Sequence, residues 1–229
     1  MTHHPLDNPV WESLTTTHTP LAEGGGGARR YPADVSPFTG LADATSPDDW
    51  ADLAALVGAG SSVLVPTLGA TPPAGFTVTE SVPGVQLLAS DAVRTAAAPE
   101  AVVLGAEDVE EMLDLVQRTK PGPFGARTRL LGNYLGIRDG GRLVAMAGER
   151  LRPPGFTEIS AVCTDPAVRG RGLATRLVLA VAHGIRERGE TPFLHAAAVN
   201  TRAIRLYESL GFTLRRPVDF TTVHVQPVD

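Results

Sequence analysis

The chain has 229 residues, 43% apolar and 20% charged, with a formal net charge of −5. That balance suits a globular chain with a sizeable core and argues against general nucleic-acid binding. A lone cysteine, Cys163, excludes an internal disulfide and a cysteine-based metal cluster, and the histidines show no metal-ligand spacing, so no metal is expected.

The first residues lack the basic-then-apolar order of a signal peptide. No run approaches the roughly 20 apolar residues needed to span a bilayer. A cytoplasmic location without a membrane partner is the expectation. Lys120 is the only lysine, so the cluster Arg169, Arg171, Arg176 is local and suits a small anionic ligand.

Residues 1–98 differ in composition from the rest and read as a small α/β unit. Glycines 24–27 read as a surface loop. Ser46 can cap a helix, with Pro47 at its first position and Asp48 and Asp49 in its first turn. Trp50, Leu53, Ala54 and Val57 follow at helical spacing, and Gly58 ends the pattern. Residues 62–65, 76–79 and 85–88 read as short strands.

Residues 99–229 form a second unit. Residues 102–104 read as a strand and 107–119 as a helix with Val109, Met112, Leu113 and Val116 on one face, closed by Pro121 and Gly122. Residues 125–131 suit a short helical turn. Strands 133–138 and 142–150 flank Asp139-Gly140-Gly141, a hairpin turn. A strand over 157–164 and a helix over 170–188 follow, the helix burying Leu173, Leu177, Val181 and Ile185 before Gly189. A strand over 192–196, a helix over 201–210 and two closing strands within 212–225 complete an α/β (α+β) order.

The most informative stretch is 162–174. It runs from a strand through a turn at Pro166 into an arginine- and glycine-rich loop that opens the long helix. Small residues at a helix mouth leave main-chain N–H groups free for a phosphate. Gly170-Arg171-Gly172-Leu173-Ala174-Thr175 lacks the third glycine of a dinucleotide fingerprint, and a meander precedes it instead of a βαβ unit. No Gly-Lys-Ser/Thr occurs, and no kinase set. A nucleotide-binding enzyme is therefore a distant reading.

Residues Arg169-Gly170-Arg171-Gly172-Leu173-Ala174 resemble the (Gln/Arg)-x-x-Gly-x-(Gly/Ala) acyl-CoA signature of the GNAT superfamily of N-acetyltransferases. Residues 200–212, from Asn200 through Tyr207 to Phe212, resemble its second block. The resemblance covers residues 100–225. It implies a mixed, mostly antiparallel central sheet flanked by helices. The 1–98 unit is then a degenerate half-copy of that fold or an unrelated cap.

The resemblance further implies that Arg169, Gly170, Arg171, Gly172, Leu173 and Ala174 wrap the pyrophosphate of acetyl-CoA, the co-substrate. Val162, Cys163 and Thr164 would then line its pantetheine arm, with an amide there stabilising an oxyanion. Tyr207 takes the role of general acid. Asn200, seven residues earlier, faces the same side, suits the N-cap of its helix and reaches the cofactor. Cys163 shares the apolar strand face of Ile159 and Ala161 and reads as a buried structural thiol, so direct transfer in a ternary complex is expected. Glu158, on the opposite face with Ser160 and Val162, is the first candidate for general base, and His195 on the neighbouring strand is the second.

The implied activity moves an acetyl group to a primary amine, on a small molecule or at a peptide or protein N-terminus. Segment 121–134, with Phe124 and Tyr134, would line the acceptor cleft. A non-catalytic acyl-CoA sensor is the competing reading. Oligomeric state is left open.

Overall fold

The computed structural model describes residues 4–67 and 71–227. In chain order it contains α1 (Pro9–Thr15), β1 (Glu23–Gly25), β2 (Ala28–Arg30), β3 (Thr39–Leu41), α2 (Pro47–Val57), β4 (Ser62–Thr67), β5 (Phe76–Ala89) and β6 (Val102–Val103). There follow α3 (Val109–Thr119), β7 (Tyr134–Asp139), β8 (Arg142–Glu149), β9 (Phe156–Thr164), α4 (Leu173–Glu187), β10 (Thr191–Ala197), α5 (Thr201–Ser209) and β11 (Phe212–Val225).

Local chemistry explains the helices that the spacing predicts. Ser46 Oγ accepts the Asp49 amide at 3.3 Å, two aspartates meet the positive end of α2, and Gly58 leaves the helix at φ +81°. Trp50 is buried, and its indole N–H donates to the Ala44 carbonyl at 2.9 Å. In α4, Leu173, Leu177, Val181 and Ile185 are all buried on one stripe. Burying each such side chain contributes roughly 1.5–3 kcal/mol.

The main sheet has eight strands in the order β4-β11-β5-β10-β9-β8-β7-β6. Every neighbouring pair is antiparallel except β9 and β10. This is the mixed, mostly antiparallel sheet that was expected. β1, β2 and β3 form a separate small sheet. No helix among the described residues is long and apolar enough to cross a membrane.

Several boundaries differ from the sequence reading. Glycines 24–27 belong to the β1–β2 hairpin, whose Gly27 amide donates to Asp52 at 2.7 Å. Residues 212–225 form one strand, bent by two register shifts, where two strands were expected. Residues 76–79 and 85–88 are parts of the single strand β5. Pro83 does not break it, because β10 pairing ends at Gly84 and the missing N–H falls beyond that ladder. α4 begins at Leu173, leaving 170–172 as loop.

The expected boundary near residue 98 does not divide the sheet. β5 lies between β10 and β11, in the interior. On one face α4 and α5 cover Ala145, Ala147, Ile159, Leu194 and Phe212. The other face carries two clusters. One lies under α3 with Met112, Leu115, Tyr134, Met146 and Cys163. The other lies under the N-terminal segment with Leu6, Val10, Leu14, Phe38, Leu151 and Phe193.

Candidate active site

Parallel pairing between β9 and β10 is short. It joins Phe156 to Thr191, Thr157 to Pro192 and Glu158 to Phe193, and then ends. Beyond that point the two strands part, and the β10-facing edge of β9 has no ladder partner.

β9 is irregular on its other side too. Met146 pairs with Cys163 and Gly148 with Ser160, so Ala147 alone opposes both Ala161 and Val162. This is a β-bulge, and Ala161 adopts φ +52° within it. For a residue with a Cβ that conformation is strained by about 1–2 kcal/mol. The bulge reverses the alternation expected for the strand. Ile159 packs beneath α4, whereas Cys163 packs beneath α3, so the two do not share a face. Val162 likewise leaves the face of Glu158 and Ser160 and packs against the α4 cluster.

The loop after β9 is built by local bonds. Asp165 accepts the Ala167 amide at 2.9 Å and caps a short 3-10 turn, Pro166–Val168. Arg118 pairs with the same aspartate from α3. Gly170 and Gly172 then take φ +84° and +72°, a region that favours glycine. α4 has no side-chain cap, and the amides of residues 170–175 have no partner among the described residues. A Cβ on Gly170 would meet nothing within 4 Å. Leu173 anchors the loop in the core, and Ala174 is half-buried.

The nearby arginines are held by the chain's own groups. Arg171 pairs with Asp139 at 2.7 Å, Arg176 with Glu100 at 2.5 Å, and Arg169 Nε donates to the Thr164 carbonyl at 3.3 Å. The two ion pairs are exposed and screened by solvent, so an incoming anion can displace them.

Asn200 caps α5: its Oδ1 accepts the Ala203 amide at 3.2 Å. Tyr207 lies buried on the other turn, its ring 6.2 Å from Phe212. Its hydroxyl has no hydrogen-bond partner among the described residues, and burial, with the nearby Cys163 thiol, pushes it up to about 12. Burial likewise pushes the Cys163 thiol up to about 11, so it stays protonated at neutral pH.

Glu158 is completely buried. Arg150 grips it with two bonds of 2.8 and 2.6 Å, and His195 Nδ1 lies 2.8 Å from Oε1. Burial alone would raise its pKa, but Arg150 and then His195 outweigh it and lower the carboxyl to about 2. His195 Nε2 is 3.1 Å from Gln86 Nε2. The Gln86 amide is oriented by its own oxygen, which accepts from Arg215 at 2.9 Å, and by donation to the Leu6 carbonyl at 3.0 Å. His195 therefore donates through Nδ1 and accepts through Nε2.

Arg150, Gln86 and Arg215 were not anticipated. No motif marks them, and they meet Glu158 and His195 only through sheet pairing. Phe124 meets the Tyr134 ring edge-on at 5.6 Å, on the same face of the sheet.

Glycines at an uncapped helix mouth, free amides, open space and a parted strand pair together fit the pyrophosphate and arm of acetyl-CoA. Residues 134–221 match the FR47-like protein family. Mycothiol acetyltransferase of Thermomonospora curvata is 40% identical over 83 residues, 36% of this chain and 28% of that protein. N-alpha-acetyltransferase RimI of Mycobacterium tuberculosis is 37% identical over 99 residues, 40% of this chain and 61% of that one. The chain thus spans less than two thirds of either curated relative. A solved structure from Novosphingobium aromaticivorans, described as an acetyltransferase of the GNAT family, aligns at 42% identity and a TM-score of 0.87, over 98% of this chain and 100% of that one. With that identity along essentially its whole length, the chain belongs to the GNAT family of acetyltransferases.

Proposed function

We propose that the protein transfers an acetyl group from acetyl-CoA to a primary amine, directly, in a ternary complex. The observation that carries this reading is the coincidence of two openings. The strand pair parts beyond Glu158 and Phe193, and the free amides of residues 170–175 sit at the head of the helix that follows β9.

In this reading the amides around Gly170–Ala174 hold the pyrophosphate, each charged hydrogen bond contributing about 1.5–3 kcal/mol. The free edge of β9 at Val162, Cys163 and Thr164 receives the arm. An amide beside the bulge holds the thioester oxygen as negative charge develops on it. Asn200 Nδ2 remains available to the cofactor, since only Oδ1 is used in capping.

The amine nitrogen bonds to the acetyl carbon and the carbon–sulfur bond breaks. Tyr207 gives its proton to the departing thiolate. His195 Nε2 takes the proton from the amine once Gln86 gives way, and Glu158 acts through His195 by fixing its tautomer and balancing the imidazolium. The acceptor is a small-molecule amine or a peptide or protein N-terminus. The names of the two curated relatives support acyl transfer in general and leave the acceptor of this chain to experiment.

One observation favours a second reading, an acyl-CoA sensor. His195 Nε2 already has a partner in Gln86, and Glu158 is fully engaged. Calorimetric titration with acetyl-CoA, followed by thiol-release assays across an amine library, separates the two. Binding with amine-dependent thiol release supports the enzyme; binding without release across the library supports the sensor.

A further inference from the structure

We propose that the phenol of Tyr134 binds the acceptor nitrogen, in a polar seam that admits monoamines and rejects polycations. The inference deepens the acetyltransferase reading and rests on it.

The face opposite α4 carries two separate apolar clusters, one under α3 and one under the N-terminal segment. Tyr134 belongs to the first, and Arg150 and His195, both bonded to Glu158, lie against Phe38 and Phe193 of the second. Tyr134 pairs with Gly148 and Gly148 with Ser160, so the three form one row across β7, β8 and β9. Directly paired residues share a face. A Cβ on Gly148 would collide with ring atoms of Tyr134, so the glycine lets the ring lie across β8 towards β9. Phe124 closes on the ring edge.

The Tyr134 hydroxyl is buried and has no hydrogen-bond partner among the described residues. A buried polar atom left in that state is costly, which makes it a place for an outside partner. Ser160, Ala161 and Val162, at the end of the row, are half-buried and open towards the parted strands. The phenol stays protonated there: burial raises its pKa, and Glu158 and Glu149 add to the effect against Arg150. Its oxygen can accept an N–H from an amine.

The charge of the seam is already matched. Glu158 is paired with Arg150 at 2.6 Å, whereas Glu149, paired with Ile159, lies on the α4 face and is held there by Arg188 at 2.9 Å. Among the described residues no carboxylate of the seam is left to balance a second ammonium, so a polyamine would bring an uncompensated charge.

The test uses benzylamine and spermidine as probes with the full chain and with Tyr134→Phe. The wild-type protein should acetylate benzylamine with a KM about tenfold below that for spermidine. Tyr134→Phe should raise the benzylamine KM about tenfold, the loss of one hydrogen bond, and leave the acetyl-CoA KM within about twofold. Its melting temperature should not fall, since the hydroxyl has no partner in the chain to lose. An unchanged benzylamine KM in the variant, a preference for spermidine, or no acetylation of benzylamine by protein that binds acetyl-CoA overturns the inference. A parallel rise in both KM values with a lower melting temperature also overturns it, as a merely structural role. Failure to bind acetyl-CoA overturns the underlying reading instead.

Discussion

Glu158 and His195 hold together the two strands at the point where the backbone ladder gives out. Glu158 closes the last paired position of β9, and His195, two residues past the last paired position of β10, reaches back to it at 2.8 Å. The opening of the sheet is therefore pinned by a side-chain bond between two buried groups.

That pin depends on a full carboxylate. In Glu158→Gln the Arg150 guanidinium, itself stacked 4.7 Å from the Phe38 ring centroid, loses its counter-charge in a buried site. Breaking a buried pair in this way costs about 3–5 kcal/mol. Urea unfolding should show that loss, and a variant within about 1 kcal/mol of wild type would disprove it.

Stability should fall with acid in two stages. Burial lowers His18 from 6.5 to about 4, with its Nε2 3.1 Å from the Leu131 carbonyl. The unfolded chain then binds a proton that the folded one refuses, so stability held above pH 6.5 is lost as pH falls towards 4, in all about 3 kcal/mol. Glu158 is lowered from 4.5 to about 2, so its contribution is present above pH 4.5 and lost below it. Denaturation at fixed urea across pH 3–8 (about one pH unit per point) should show both stages, and His18→Gln should flatten the first.

Tyr207→Phe should lower kcat about 10²–10⁴-fold, the usual worth of a positioned acid, with acetyl-CoA affinity preserved. The wild-type hydroxyl, at about 12, keeps its proton through the neutral range, so no loss of activity near pH 9–10 should trace to it. Single-turnover rates and calorimetric affinity together check this.

Cys163→Ala should keep its turnover. The thiol is buried and pushed up to about 11, so it is a poor nucleophile at neutral pH. The variant should lose about 1–2 kcal/mol of stability from the vacated space beneath α3. A collapse of kcat in a folded variant would point to an acyl-enzyme instead.

Gly170→Ala should weaken acetyl-CoA binding about tenfold while costing about 1 kcal/mol of stability. The new methyl meets open space, so its cost comes from φ +84° alone, and it projects into the opening where the ligand phosphates are expected. Titration calorimetry reads the first effect and thermal unfolding the second.

Much of this was legible because its signals are local. The Ser46 cap, the Asp139-Gly140-Gly141 turn and the stripe of α4 each need only neighbours in sequence. The loop at Gly170 and Gly172 declared itself through glycine and arginine. The bulge at Ala161 did not, because alanine carries no mark of a left-handed conformation, and the faces of Val162 and Cys163 were misread as a result. Glu158 looked free because its partners come from other strands: Arg150 across a turn, and His195 and Gln86 through ladders that join distant segments. The unbroken run of β5 through Pro83 was hidden for the same reason.

The central position of β5 sets the order in which the molecule can be made. Phe76–Ala89 must wait, unpaired on both sides, until Thr191–Ala197 and Phe212–Val225 have been synthesised. Contacts so far apart in the chain make for slow folding and a long-lived exposed intermediate on the ribosome. A fragment starting near residue 100 would leave β11 without either neighbour and one edge of β10 bare, and it should aggregate where the intact chain stays dispersed.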